Sequence, residues 1–272
     1  MRKGLILLTY FFFVALLILP LGKMIASAWE TGLTGVLEVL TRKEVLHALV
    51  LSGLITVIVT LLNTLFGVSL ALFLVRGRRW NRRIKQVLNS MVDLPFAVSP
   101  VIGGLMILLL FGPQTVLGTF FEGIGMPIVF ALPGMVIATL FVTFPLMVRE
   151  VMPVLQETGT EQEAAAYTLG ANAWLTFWRV TWPSIRFGVL YGFVLTAARS
   201  LGEFGAVLVV SGNIINRTQT ATTLVYQEVE DFHFVAANTV ATVLVMLSIL
   251  ILLLLEWSKQ RKDGILHADS NT

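Results

Sequence analysis

The strongest constraint on this chain is its series of long apolar runs. Several approach or exceed the ~20 residues a helix needs to cross a bilayer. They are Leu5 to Ala28, Val45 to Val75, Gln86 to Phe111, Pro133 to Val151, Phe187 to Val210 and Phe234 to Trp257. Inside hydrocarbon, backbone N–H and C=O groups must be paired within the structure, which leaves helices or a closed barrel. No short alternating strands are present, so the runs read as helices. The 272 residues are 56% hydrophobic and 13% charged, as a polytopic membrane protein requires. The expectation is an all-α protein with one transmembrane domain over 1–272.

The segments between the runs set the sidedness. Arg2 and Lys3 precede the first run, which Pro20 and Lys23 interrupt. Ala26-Ser27-Ala28 resembles a signal-peptidase site, but the run exceeds the ~7–15 residues usual for a signal core, which favours a retained helix. Trp29 to Glu44 reads as a short polar connection, with Trp29 at the outer interface. The stretch RGRRWNRRIK at 76–85 holds six basic residues and no acid. In a soluble protein it would suit nucleic acid; between two spans it reads as a cytoplasmic loop.

The third run contains Asp93, Pro95, Pro100, Gly103 and Gly104. Each proline removes a helical hydrogen bond, so this span is expected to be kinked or broken. Gly112 to Leu132 reads as an apolar outer loop, re-entrant or interfacial. The fourth run ends at Arg149-Glu150, the fifth carries Arg199 and Glu203, and an outer segment runs from Ser211 to His233. Lys259, Arg261 and Lys262 lie in a polar tail whose end is expected to be disordered. With both termini inside, 14 of the 19 Lys and Arg fall on the inner side, against Lys23, Arg42, Lys43 and Arg217 outside and Arg199 in the membrane. That bias gives six spans, N-in and C-in. A cleaved first segment would leave five with the same sidedness.

The one extended polar island between spans is Glu161 to Pro183, EQEAAAYTLGANAWLTFWRVTWP. Ala164, Ala165 and Ala166 favour a helix, and Gly170 is a natural stop just past it. Asn172 suits the cap of a second short helix, which Pro183 is expected to bound. A chain reversal needs only about 4–6 residues, so a helix–turn–helix of about 20 has another purpose. It is either a docking element or an amphipathic hairpin on the lipid surface. By the charge distribution it is cytoplasmic, and the loop is placed at 157–186.

Enzymatic motifs are missing. The chain has no GxxxxGK[ST] loop for ATP phosphates, no HExxH pair, no cysteine, and three distant histidines without ligand spacing. Gly123-Ile124-Gly125 lacks the following glycine of a dinucleotide turn. Kinked spans and a large docking loop fit a transport subunit powered by a partner.

EAAAYTLGANAWLTFWRVTWP is similar to the "EAA" loop of binding-protein-dependent ABC importer permeases. Counting back from Gly170 puts Ala165 and Ala166 on the two alanines of that motif, and Val180-Thr181-Trp182-Pro183 on its close. Ala164 stands at the motif's glutamate, Glu163 precedes it, and Trp182 replaces the leucine. LPFAVSP at 94–100, VRE at 148–150 and ARSLGEFGAVLVVSG at 198–212 resemble the permeases of sulfate and molybdate importers, above all the sulfate/thiosulfate permeases of the CysW type. The resemblance covers nearly the whole chain. It implies an ABC importer type I permease fold in a bacterial cytoplasmic (inner) membrane. It also implies a sister permease of the CysT type, two ATPase subunits using ATP and Mg²⁺, and an extracytoplasmic sulfate-binding protein. The chain itself binds no cofactor and no nucleic acid. Glu163, Ala164, Ala165, Ala166, Leu169, Gly170, Ala171 and Pro183 then belong to the ATPase-coupling loop. The alternatives are a molybdate/tungstate permease of the same family and an ion-coupled secondary anion transporter, whose relay would need Asp93 or Glu203.

Arg199 and Glu203 are four apart and share a helix face. A charge near mid-membrane costs at least ~2.5 kcal/mol on insertion scales, so it faces a partner or a polar cavity. The pair either pins helix packing or lines the translocation path. Ser99 and Pro100 carry the same two readings, as a kinked packing element or as a border of the path, and Ser211 is the remaining candidate for that path.

Overall fold

The computed structural model describes the backbone over residues 2–77 and 81–269 and the side chains over 5–77 and 81–253. Arg78, Arg79 and Trp80 of the basic stretch, the side chains of Arg2, Lys3 and the basic tail, and the chain's end at 270–272 lie outside the described residues.

Among those residues all regular structure is helical. Helix α1 (Arg2–Phe13) passes through a π-helical turn, Val14–Ile18, into α2 (Leu19–Ala28). Then come α3 (Gly32–Thr41), α4 (Lys43–Arg76), α5 (Arg82–Val92), α6 (Leu94–Ala97), α7 (Pro100–Phe111) and α8 (Val116–Gly123). Helix α9 (Leu132–Thr158) leads to α10 (Glu161–Thr168) and α11 (Ala173–Thr176). A second π-helical turn, Phe177–Thr181, joins α11 to α12 (Trp182–Leu201), and α13 (Gly205–Ser211), α14 (Ala221–Glu230) and α15 (Phe234–Asp269) complete the chain. Among the described residues four helices are long and apolar enough to cross a membrane, or up to six if each bent pair is one span.

Two runs are bent pairs. Arg82–Ala97 and Pro100–Phe111 meet at 109°, as the prolines predict. Ala173–Leu201 and Gly205–Ser211 meet at 57°, where hydropathy alone reads one continuous span. The cause is local: Glu203 Oε1 accepts the Ala206 N–H at 3.1 Å and so caps a new helix just past Gly202. The polar connection expected at Trp29 to Glu44 is also mostly helix. Its polar character comes from the flanks Glu30, Arg42 and Lys43, while Val39 and Leu40 of α3 pack into an apolar cluster.

The chain divides into two compact units, one formed by the chain through Ser52 with Asn213–Leu247, the other by Gly53–Gly212 with the chain from Ser248. In the first, Val45 and Ala48 pack with Ala221, Leu224, Ala236 and Val240, and the buried Ser52 hydroxyl accepts the Ala221 N–H at 2.8 Å. In the second, α9 is central. Its Met147, Val148, Val151 and Leu155 are buried with Val68, Ala71 and Leu74 of α4 and Ile185 and Val189 of α12. A Cβ at Gly67 would come within 2.6 Å of the Met147 side chain, and one at Gly192 within 2.7 Å. Glycine therefore lets both neighbouring helices close on α9 at one level. Four residues earlier on α9, the Asn63 amide donates to the Thr143 hydroxyl at 2.7 Å in a buried interhelical hydrogen bond.

Candidate functional site

The 161–183 island folds into two helices around a tight turn. The Gly170 N–H donates to Tyr167 O at 3.0 Å and the Ala171 N–H to Ala166 O at 3.0 Å. With Gly170 at φ +86°, this is the Schellman ending that a glycine just past a helix permits. Asn172 Oδ1 accepts the Leu175 N–H at 2.9 Å and starts the next helix. Stop and start fall where the residue chemistry puts them.

Pro183 does not bound that second helix. Ala173 to Leu201 runs as one helix, with the π-helical turn at Phe177–Thr181 just before the proline. Pro183 has no N–H to offer the preceding turn. The wider turn absorbs the loss: the Trp182 N–H bonds Phe177 O, and the Ser184 hydroxyl donates to Val180 O at 2.8 Å. The loop is thus continuous with the long apolar helix behind it.

Its outer surface is apolar for a polar island. Leu169 is 87% exposed and Trp174 71%, with Tyr167, Leu175 and Trp178 also exposed. Trp174, Trp178 and Trp182 pack in sequence, the first two edge-to-face and the second two tilted, with centroids 5.6 and 5.7 Å apart. Ala164 and Ala165 are exposed, while Ala166 and Ala171 are half-buried.

Glu163 points the other way. Arg76 Nε, at the end of α4, lies 3.1 Å from Glu163 Oε2, and the Thr181 hydroxyl donates to Glu163 Oε1 at 2.9 Å. The Arg76 Nη2 also donates to the carbonyl of Gly159. One guanidinium therefore fastens both the entry to α10 and its first turn, and Glu163 bridges that turn to the π-helical segment. Sequence reasoning found Glu163 but neither partner. Arg76 is 87 residues away and reads as one more charge in a basic stretch.

Two breaks in the apolar helices come together. Ser99 is exposed at the N-cap of α7, and Pro100 is that helix's first residue. A Cβ at Gly205 would lie 3.3 Å from Pro100 Cβ and 3.1 Å from Val101 Cγ2, so the start of α7 packs on the start of α13. Just before α13, Arg199 Nη1 lies 3.0 Å from Glu203 Oε2; the glutamate side chain is 1% exposed and the arginine 42%. Arg199 thus presents positive charge at a surface while Glu203 is buried behind it. Ser211 is fully buried at the far end of α13. The acid of the other bent pair, Asp93, is held in a two-point ion pair, Arg149 Nε to Oδ1 at 2.8 Å and Nη2 to Oδ2 at 2.6 Å. No cluster of three or more metal-ligating side chains occurs among the described residues.

Residues 63–262 match the family described as binding-protein-dependent transport system inner membrane component. The chain is 44% identical over 257 residues to the sulfate transport system permease protein CysW of Synechocystis sp., covering 94% of this chain and 92% of that one. It is 34% identical over 245 residues to the probable sulfate transport system permease protein cysT of Chlorokybus atmophyticus, covering 90% and 84%. Its fold is similar to that in a crystal structure of a bacterial alginate ABC transporter in complex with a periplasmic protein bound to an alginate pentasaccharide. That likeness has a TM-score of 0.79 at 15% identity, over 96% of this chain and 94% of the other.

Proposed function

The chain belongs to the family of binding-protein-dependent transport system inner membrane components, and from that premise we propose that it is the permease subunit of an ATP-driven importer of sulfate and thiosulfate. The observation that carries the coupling half of this reading is the 161–183 loop. It is rigidly capped, exposes an apolar face, is fastened to α4 by Arg76–Glu163 and runs unbroken into α12. A load applied to that loop reaches the apolar helices without a hinge between. The substrate half rests on the relatives, whose names carry sulfate.

On this reading the chain crosses a bacterial inner membrane six times with both termini inside, each bent pair serving as one span. Ala164, Ala165 and Ala166 let α10 seat closely in an ATPase cleft. Leu169, Gly170 and Ala171 fix its angle, Glu163 transmits the load through Arg76, and Pro183 sets the wide turn into α12. The partners are a sister permease of the CysT type, two ATPase subunits and an extracytoplasmic sulfate-binding protein. ATP and Mg²⁺ are bound by the ATPases; this chain performs no chemistry and binds no cofactor. Ser99, Pro100, Arg199, Glu203 and Ser211 border the passage. Arg199 offers the anion a positive surface whose strength Glu203 tempers, as a site that must release its cargo requires.

The test is uptake of radiolabelled sulfate by the four-subunit complex in proteoliposomes with loaded receptor. The reading expects uptake that needs ATP and survives collapse of ion gradients. Uptake driven by an ion gradient without ATP overturns it, and uptake of molybdate alone overturns the substrate.

A further inference from the structure

A second polar site lies apart from both the loop and the junction of α7 with α13. A cavity of about 350 Å³ opens between α5 and the C-terminal part of α9. Arg82, Lys85, Gln86 and Asn89 line it from α5, and Arg149 and Gln156 from α9, with no carboxylate among the described residues of its wall. Arg149 is already committed. Its five donors go to both Asp93 oxygens, to the side chain and carbonyl of Asn89 and to the Met152 sulfur. That network pins the α5 wall to α9, leaving the cavity preformed. The charges that remain are Arg82 and Lys85, which form no ion pair among the described residues, although Lys85 is half-buried. A concave wall with two cations, amide donors and no acid fits a tetrahedral oxyanion.

The same helix shows where such a group would come from. Ile84, Val87 and Met91 of α5 and Leu94 at the start of α6 recur at spacings of three, four and three and are all exposed. The exposed apolar stripe and the pocket-lining Arg82, Lys85, Gln86 and Asn89 occupy opposite faces of α5, the pattern of an amphipathic segment that meets the membrane at its surface before α7 continues the span beyond the 109° bend. Basic pockets beside spans hold lipid headgroups by the same chemistry. We propose that the α5–α9 pocket binds a tetrahedral oxyanion presented as the phosphate of an anionic lipid headgroup, with the stripe seated among that lipid's neighbours. Arg82 and Lys85 supply the charge, and Gln86 and Gln156 the neutral donors.

Native mass spectrometry of the full chain in detergent, titrated with phosphatidylglycerol or phosphatidylcholine, tests this. We expect retention of phosphatidylglycerol at least several-fold above phosphatidylcholine. The preference is lost in Arg82→Gln/Lys85→Gln and in Gln86→Trp, which fills the cavity without changing charge. It is unchanged in Arg83→Gln, which removes a charge from the same turn outside the pocket. A preference that survives Gln86→Trp, or falls equally in Arg83→Gln, is general surface attraction and overturns the site. Added sodium sulfate, compared with chloride at equal ionic strength, separates the sources. No selective displacement supports the lipid, whereas displacement by sulfate alone makes a free oxyanion the occupant and overturns the lipid assignment.

Discussion

Arg76 Nε stands 3.1 Å from Glu163 Oε2 with the two side chains only 17% and 16% exposed, so the end of α4 and the first turn of α10 move as one piece. Removing either partner of a fully buried pair costs ~3–5 kcal/mol. Here residual exposure reduces that, and Arg76→Ala is expected to destabilise by about 2 kcal/mol. Glu163→Gln, whose amide oxygen still accepts from Arg76 and Thr181, should cost about 1 kcal/mol. Thermal unfolding of the solubilised chain gives the order, with Arg76→Ala the lower in Tm.

Gly170 has a positive φ and open space around its Cα, so the penalty for a side chain there is conformational and not steric. Gly170→Val should cost roughly 1–2 kcal/mol and Gly170→Asn clearly less. Hydrogen exchange at the amides of Gly170 and Ala171 is the readout, with protection falling in the order Gly, Asn, Val.

Arg199 faces a surface while Glu203 is buried and caps α13. Arg199→Ala leaves that carboxylate without its guanidinium and should lower the yield of folded protein. Adding Glu203→Gln removes the charge but keeps an acceptor for the Ala206 N–H, and should restore the yield. If Arg199 also borders the passage, the folded double variant still transports sulfate at least several-fold more slowly. Uptake at the normal rate would leave the pair a packing role only.

The Asn63–Thr143 bond ties α4 to α9 one turn from the Gly67–Met147 contact. Interhelical hydrogen bonds in membranes average ~0.6 kcal/mol. Thr143→Val is expected to cost about that much, because the valine keeps the packing. A loss of several kcal/mol in a denaturation titration would show that the layer carries more than one bond.

What the sequence discloses is what is local. The Gly170 stop and the Asn172 start are set by residues within one turn of each other, and the bend between α5–α6 and α7 by Pro95 and Pro100. What it hides is either averaged or distant. The break at Gly202–Phe204 is lost in a window of apolar neighbours, because a capping glutamate there counts only as one charge. The partner of Glu163 cannot be found by spacing, since 87 residues and a whole apolar helix separate the two ends of that bond. By its chemistry Pro183 reads as a helix end, but a π-helical turn lets the chain keep its direction past the missing donor.

The central claim is that α10 and its turn receive the force of ATP hydrolysis, and Ala165 tests it most directly. Its side chain is exposed on α10, so Ala165→Trp leaves the loop's own contacts in place and blocks only a close-fitting partner. The measurement is ATP hydrolysis by the reconstituted complex with and without sulfate-loaded receptor. The account predicts receptor-stimulated hydrolysis in the unaltered complex and at least a tenfold loss of stimulation in Ala165→Trp, with the permease still folded. Full stimulation in Ala165→Trp, with the ATPase still bound, would contradict it.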